Sequence, residues 1–283
     1  MSAPALFDAP GPRTRAFYRV FTVVALLVAA AIAFFVVARM AEKGQLDPAL
    51  WAPFLTPVAW TEYLLPGLWG TLRAALAAIV LALIFGLIFG MGRLSRNPVI
   101  RIPAGIVVEF FRAVPVLIMV IFAFAVYTGA QIFDTALNPF IAVVTALTLY
   151  NGSLIAELVR SGVNSLPKGQ AEAGLSIGLT WGQTLRQIQL PQALTAMLPA
   201  LIGQTVVIVK DSALGYMITY LDLVNWSKTL GAAYSNTIPA YLVAAVLFIT
   251  MNNLLTQLAQ RVEARLNRRG STAAPVTEAA AVE

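Results

Sequence analysis

Apolar runs long enough to cross a bilayer constrain this chain more than any other feature. A helix needs about 20 predominantly apolar residues to traverse a hydrocarbon core about 30 Å thick. Runs near that length recur at 20–38, 68–91, 102–128, 140–159, 193–214 and 238–259. Backbone immersed in lipid must satisfy its own hydrogen bonds. The expected fold class is therefore all-α and integral to the membrane, with six transmembrane helices. Composition agrees: 11% of the 283 residues are charged and 59% hydrophobic, where a soluble domain carries about a quarter charged. The first run follows Arg13, Arg15 and Arg19, the order seen in a cleaved leader. It is longer than a leader's apolar core, and RMAEK at 39–43 is a poor cleavage context. It reads as a retained helix.

The chain contains no cysteine and no histidine. Disulfides, thiolate nucleophiles, imidazole bases and Cys/His zinc sites are thereby excluded, and no metal or cofactor is expected. The net charge of +6 has a telling distribution. With six spans, Arg13/Arg15/Arg19, Arg93/Arg96/Arg101, Arg160/Lys168/Arg186 and Arg261/Arg265/Arg268/Arg269 all fall on one face. Only Arg39, Lys43, Arg73, Lys210 and Lys228 lie toward the other. The positive-inside rule then places both termini in the cytoplasm of a plasma-membrane protein. It also assigns the positive charge to orientation in a lipid bilayer rather than to nucleic acid. The organisation read this way is a tail at 1–19, an extra helix and outer linker at 20–66, a five-span core at 67–261 and a tail at 262–283. Trp51, Phe54 and Trp60 in the linker suit a membrane–water boundary.

One polar stretch, 168–191, is large for a connection between spans and lies on the basic face. Gly162, Pro167 and Gly169 interrupt the helix before it. Strong helix formers predict a short helix over 170–177, and Gly178 stands where a left-handed cap ends one. Thr180 followed by Gln183 has the form of a capping box, opening a second helix that reaches Leu190 before Pro191. Such a capped helix–turn–helix suits insertion into a partner's groove. It equally suits an amphipathic connector lying on headgroups.

Polar residues inside apolar runs are pathway candidates. Arg112 lies roughly 15 Å into the third run at about 1.5 Å per residue, where it could meet a substrate carboxylate or pair with Glu109. Tyr150, Asn151 and Ser153 fall near the midplane of the fourth run, and Gln204 at similar depth in the fifth. These line a path or bond helix to helix. Lys210, Asp211 and Ser212 lie toward the outer end, as a gate or as interfacial anchors. Glu157 and Arg160 brace the 168–191 loop. Gly86 and Gly90 form a GxxxG pair suited to close helix packing.

Several of these segments together resemble one family. Glu172-Ala173-Gly174, then Gly178, then Ile188-x-Leu190-Pro191 is similar to the EAA motif of the membrane subunits of ABC-type importers, with Gly174 where the family usually has Ala. EFFRAVP at 109–115, ELVRSG at 157–162, PKGQ at 167–170, KDSAL at 210–214 and GLWGTL at 67–72 resemble segments of polar amino acid permeases. The extra first helix and long outer linker are most like the glutamate-importer branch. The resemblance implies a permease subunit working by alternating access on a polar amino acid, glutamate in that branch. It implies a second, identical or related, permease subunit and cytoplasmic ATPase subunits docked on the EAA loop. An external solute-binding protein would deliver substrate. Glu172, Ala173, Gly174, Gly178, Ile188, Leu190 and Pro191 are then the ATPase-coupling residues. Gly174 would loosen the short helix by roughly 0.5–1 kcal/mol. No G-x-x-x-x-G-K-[ST] phosphate loop is present, so ATP hydrolysis is expected on a separate subunit and this chain is not an enzyme. Two other classes remain open. An ion-coupled secondary transporter would favour midplane carboxylates. A scaffold or receptor would need no polar residues at matching depths.

Overall fold

The computed structural model describes residues 11–270, and every regular element among them is helical. Parts of the two predicted tails, 1–10 and 271–283, lie outside the described residues. Five helical stretches are long and apolar enough to cross a membrane: Arg13–Glu42, Pro57–Arg93, Asn138–Asn164, Trp181–Ile218 and Thr237–Arg261. One further pair of helices, Pro98–Ala113 and Val116–Gly129, is long and apolar enough only when the two are taken together.

Helix α1 (Pro12–Glu42) is apolar around its whole circumference, and its described side chains are exposed apart from a half-buried Met40. A helix with no polar face has lipid as its solvent. The outer linker then folds into short turns, α2 (Pro48–Trp51) and α3 (Pro57–Ala59), capped by Asp47 and Thr56. Its aromatics do not simply lie on the boundary, as expected from sequence. Phe54 and Leu64 pack with Leu223, Leu230, Ala240 and Ala244, and Trp51 and Trp60 close over that cluster. Their indole N–H groups donate to the Gln45 and Phe54 carbonyls at 3.0 and 2.8 Å.

The centre is the pairing of α4 (Leu65–Arg93) with α7 (Asn138–Asn164). Ala74, Ala78, Ala82, Gly86 and Gly90 recur every four residues and are all buried. They form a ridge without bulk, which lets the backbones approach. A Cβ on Gly90 would sit 2.8 Å from the Val159 Cβ, and one on Gly152 would sit 2.8 Å from Phe85. The GxxxG pair read from sequence is thus the lower end of a five-residue stripe.

The third apolar run is not one continuous helix. It breaks into α5 (Pro98–Ala113) and α6 (Val116–Gly129), bent by 101°. Pro115 has no N–H and excludes the helical conformation at the residue before it. Val114 is accordingly extended, at φ −84° and ψ 128°. Continuity of the apolar pattern concealed this break.

Helix α8 (Lys168–Ser176) follows α7, and α9 (Trp181–Thr184) runs through a π turn, Leu185–Gln189, into α10 (Leu190–Asp211) without interruption. The second loop helix, read from sequence as reaching Leu190, therefore runs on past Pro191 into the fifth span. In the π turn the Leu190 N–H bonds the Leu185 carbonyl, one residue further back than in an α-helix. That shift absorbs the donor missing at Pro191. The same device opens the second span, where π turn Trp60–Leu64 precedes Pro66. After a 3-10 turn at Ser212–Ile218, α11 (Leu223–Ala233) packs against the start of α4, and α12 (Thr237–Gly270) closes the described chain. Gly67 and Gly70 allow that packing: a Cβ on Gly67 would lie 2.9 Å from the Leu223 Cα.

Candidate functional site

Helix α8 ends in a complete Schellman motif. Gly178 is left-handed at φ +85°, its N–H bonds Leu175 O at 3.0 Å, and Leu179 N–H bonds Gly174 O at 3.2 Å. The capping box at Thr180 is present in both halves: Gln183 N donates to Thr180 Oγ1 at 3.4 Å and Thr180 N to Gln183 Oε1 at 2.8 Å. Between these caps, α8 folds back on α9 and the π turn. Gln192 Nε2 ties the base of α10 to Gln170 Oε1 at 3.0 Å. Ile188 and Leu190 are half-buried in the joint and Pro191 is exposed.

Gly174 does not act as expected from its low helix propensity alone. It is buried where α8 crosses α9, and an added Cβ would lie 2.6 Å from Thr184 Cγ2, 2.8 Å from Thr184 Oγ1 and 3.0 Å from Ile188 Cδ1. Glycine here sets the closeness of two helices. The outward face of α8 carries Glu172, Ala173, Leu175 and Ile177, and Ile177 is 75% exposed although isoleucine is apolar.

Beside the loop, an ionic network joins three helix ends. Arg93 of α4 donates to Glu109 of α5 at 2.8 Å and stands 2.7 Å from Glu157 of α7, the second contact lacking hydrogen-bond alignment. Arg112 lies 3.4 Å from Glu109 and 3.5 Å from Glu157, and Arg160 Nε reaches both Glu157 oxygens at 3.2 Å. Arg112 therefore shares both carboxylates with Arg93. The break at Pro115 leaves it on α5, level with Arg93 at the end of α4. Glu157 and Arg160, expected to brace the 168–191 loop, pair instead with each other, and Glu157 with Arg93 and Arg112, at this junction. Arg93, which makes the closer contact to each of the two carboxylates that Arg112 also reaches, was missed because it reads as an ordinary flanking arginine.

In the bundle interior, Gln204 Nε2 of α10 donates to Asn151 Oδ1 of α7 at 2.6 Å, and Asn151 Nδ2 donates to Leu147 O at 3.1 Å. Asn151 is fully buried. The matching depths read from sequence thus meet in one bond. Ser153 is buried too, but its hydroxyl is returned to Leu149 O at 2.7 Å on its own helix. Tyr150 is half-buried against the α4–α7 core.

Lys210, Asp211 and Ser212 do not form one cluster. Lys210 is exposed beside Asn252 and Asn253 of α12, Asp211 faces the Asn151 amide of α7, and Ser212 is buried with its hydroxyl on Val209 O at 2.7 Å. Consecutive helical residues point about 100° apart, so adjacency in sequence separated them. A further group went unread. Arg73 Nε donates to the Tyr220 hydroxyl at 3.0 Å, with its guanidinium over the Phe140 and Tyr220 rings at 5.2 and 5.6 Å. An arginine inside an apolar run was the available signal. Among the described residues no cluster of acidic residues is arranged to hold a metal.

This arrangement has counterparts. Residues 82–268 match the model of the family described as "binding-protein-dependent transport system inner membrane component". A glutamate transport system permease protein of Corynebacterium glutamicum is 46% identical over 227 residues, 80% of this chain and 83% of that protein. A probable glutamine ABC transporter permease protein of Bacillus subtilis is 34% identical over 208 residues, 72% and 93% of the two chains. Among solved structures, an amino acid ABC transporter crystallised with histidines superposes with a TM-score of 0.67 at 26% identity, over 75% of this chain and 98% of that one. An inward-facing MetNI methionine transporter shares the fold, with a TM-score of 0.63 at 21% identity over 74% and 98%. The chain belongs to the binding-protein-dependent transport system inner membrane component family.

Proposed function

We propose that this chain is the membrane-spanning subunit of an ATP-driven importer of a polar amino acid, glutamate, moving it by alternating access. The observation that carries the reading is the 168–191 loop. It is capped at both turns, seated on the base of α10, and presents Glu172, Ala173, Leu175 and Ile177 outward. Apolar side chains exposed on a polar loop fit a groove on another protein. Because α9 and α10 are continuous, a push on α8 enters a span directly. The partners are cytoplasmic ATPase subunits on that loop, a second permease subunit across the path, and an external solute-binding protein. ATP hydrolysis belongs to the ATPase subunits, and the nucleotide does not touch this chain.

The basic clusters favour a cytoplasmic loop and cytoplasmic termini, with the 67–261 core as transport domain, the 20–66 segment added to it and the 1–19 and 262–283 tails flanking. The Asn151–Gln204 pair, with Tyr150, Ser153 and Arg112 nearer its edges, is the substrate path. Of the three residues Lys210, Asp211 and Ser212, Asp211 alone faces Asn151 and extends that path toward its outer end. Glutamate rests on the 46% identity to a protein named for glutamate transport and on the 27% identity to glutamate/aspartate import permeases of Escherichia coli. Reconstitution with candidate ATPase and binding protein tests the whole reading: labelled glutamate uptake should require ATP. Uptake indifferent to ATP would defeat it, and ATP-driven uptake of another amino acid alone would defeat the substrate.

A further inference from the structure

A groove of about 800 Å³ runs between the α4–α5 turn and the start of α9. Its lining is mixed. Ile88, Met91 and Ile100 are its apolar members, and Ile88 and Ile100 are 62% and 52% exposed. Ile84, Val99, Ile102 and Ile106 on the same helices are exposed apolar side chains as well. Arg96 and Arg186 are its basic members, and neither has a carboxylate within ion-pair distance among the described residues. Trp181 also lines it, its indole N–H buried without an acceptor. Arg96 stacks on the Trp181 ring at 4.2 Å. Stacking engages the face of the guanidinium and leaves its rim of N–H donors free for an oxyanion.

We propose that this groove binds one anionic glycerophospholipid, its phosphate on Arg96 and Arg186 and its acyl chains along Ile88, Met91 and Ile100. Charge complementarity and the mixed lining commit it to that occupant. A free phosphate would satisfy the arginines but leave the apolar side chains uncovered, and a zwitterionic lipid would bring a cation to two unpaired arginines. Basic pockets between spans at the membrane boundary bind anionic headgroups for the same reason. The site is formed jointly by the α4–α5 turn and α9, which continues into α10. A bound lipid therefore bridges the third span to the base of the fifth.

The test uses the full-length purified chain and native mass spectrometry after titration with phosphatidylglycerol, phosphatidylcholine or inorganic phosphate. The chain should retain one phosphatidylglycerol in preference to phosphatidylcholine, and millimolar phosphate should not displace it. Each arginine near an anionic surface is worth roughly fivefold, so Arg96→Gln with Arg186→Gln should weaken retention on the order of 25-fold. Phosphatidylcholine retention should be unchanged. Trp181→Phe leaves Arg96 a smaller aromatic face to stack on, and should weaken retention by a smaller factor. Both arginines are exposed, so the double variant should fold, and an unchanged melting temperature verifies that it has. Equal phosphatidylglycerol retention in chain and double variant overturns the proposal. So does displacement by phosphate, or unchanged lipid retention with loss of a bound ATPase subunit, which would assign the groove to that protein. None of these readouts depends on transport or its substrate.

Discussion

Gly174→Ala sets two effects of opposite sign against each other at one atom. Alanine is the better helix former, and in the interior of α8 the exchange should stabilise by roughly 0.8–1 kcal/mol. The new Cβ, however, would lie 2.6 Å from Thr184 Cγ2 and 3.0 Å from Ile188 Cδ1. Ile188 can withdraw, because Cδ1 is the far end of a flexible side chain. Thr184 cannot: it is fully buried, short and β-branched, with one χ1 to turn. Overpacking of that kind costs about 1–3 kcal/mol. The steric effect wins, leaving α8 less firmly seated by roughly 1 kcal/mol, or about fivefold in its opening equilibrium. Thr184→Ala removes the atoms in the way, so in that background Gly174→Ala should stabilise α8 instead, slowing opening by about two- to fivefold. Amide hydrogen exchange over 168–177 in detergent reads the equilibrium directly. The substitution should speed exchange in the wild-type background and slow it in Thr184→Ala. Slower exchange in both would mean that helix propensity governs the position and that the close approach is unimportant.

Two further outcomes follow from the polar groups. Glu157 touches three arginines with its side chain 23% exposed, while Glu109 touches two and is 57% exposed. Glu157→Gln should lower unfolding stability by about 1–3 kcal/mol and Glu109→Gln by less than about 1 kcal/mol, and equal shifts in melting temperature would argue against Glu157 as the hub. Asp222 caps α11 through Asn225 N at 2.8 Å, yet it is buried with its second oxygen unpartnered, and burial pushes its carboxyl up to about 7. An acid raised on folding favours the folded state when protonated, so stability is full below the ordinary carboxylate range and falls by a few kcal/mol as pH rises toward 7. Asp222→Asn preserves the cap and should flatten the melting temperature between pH 5 and 7, and a profile parallel to wild type would refute the assignment.

The sequence by itself determined the class of fold and the chemistry it excludes. Six apolar runs, no cysteine and no histidine leave little freedom, because lipid permits only self-satisfied backbone. Local signals were equally readable. The Gly178 cap, the Thr180 capping box and the GxxxG pair all depend on a few neighbouring residues, and each is present in the fold. What the tertiary structure decided concerns direction and distance. Hydropathy measures whether a segment prefers lipid, not whether it is straight, so the 101° bend at Pro115 and the resulting place of Arg112 were invisible to it. Residue type shows that Asn151 and Gln204 need partners, but only packing of α7 on α10 makes them each other's. Gly174 is the sharpest case. Propensity counts it as a weakness in α8, whereas the contact with Thr184, ten positions away on another helix, makes the missing Cβ the reason those helices fit.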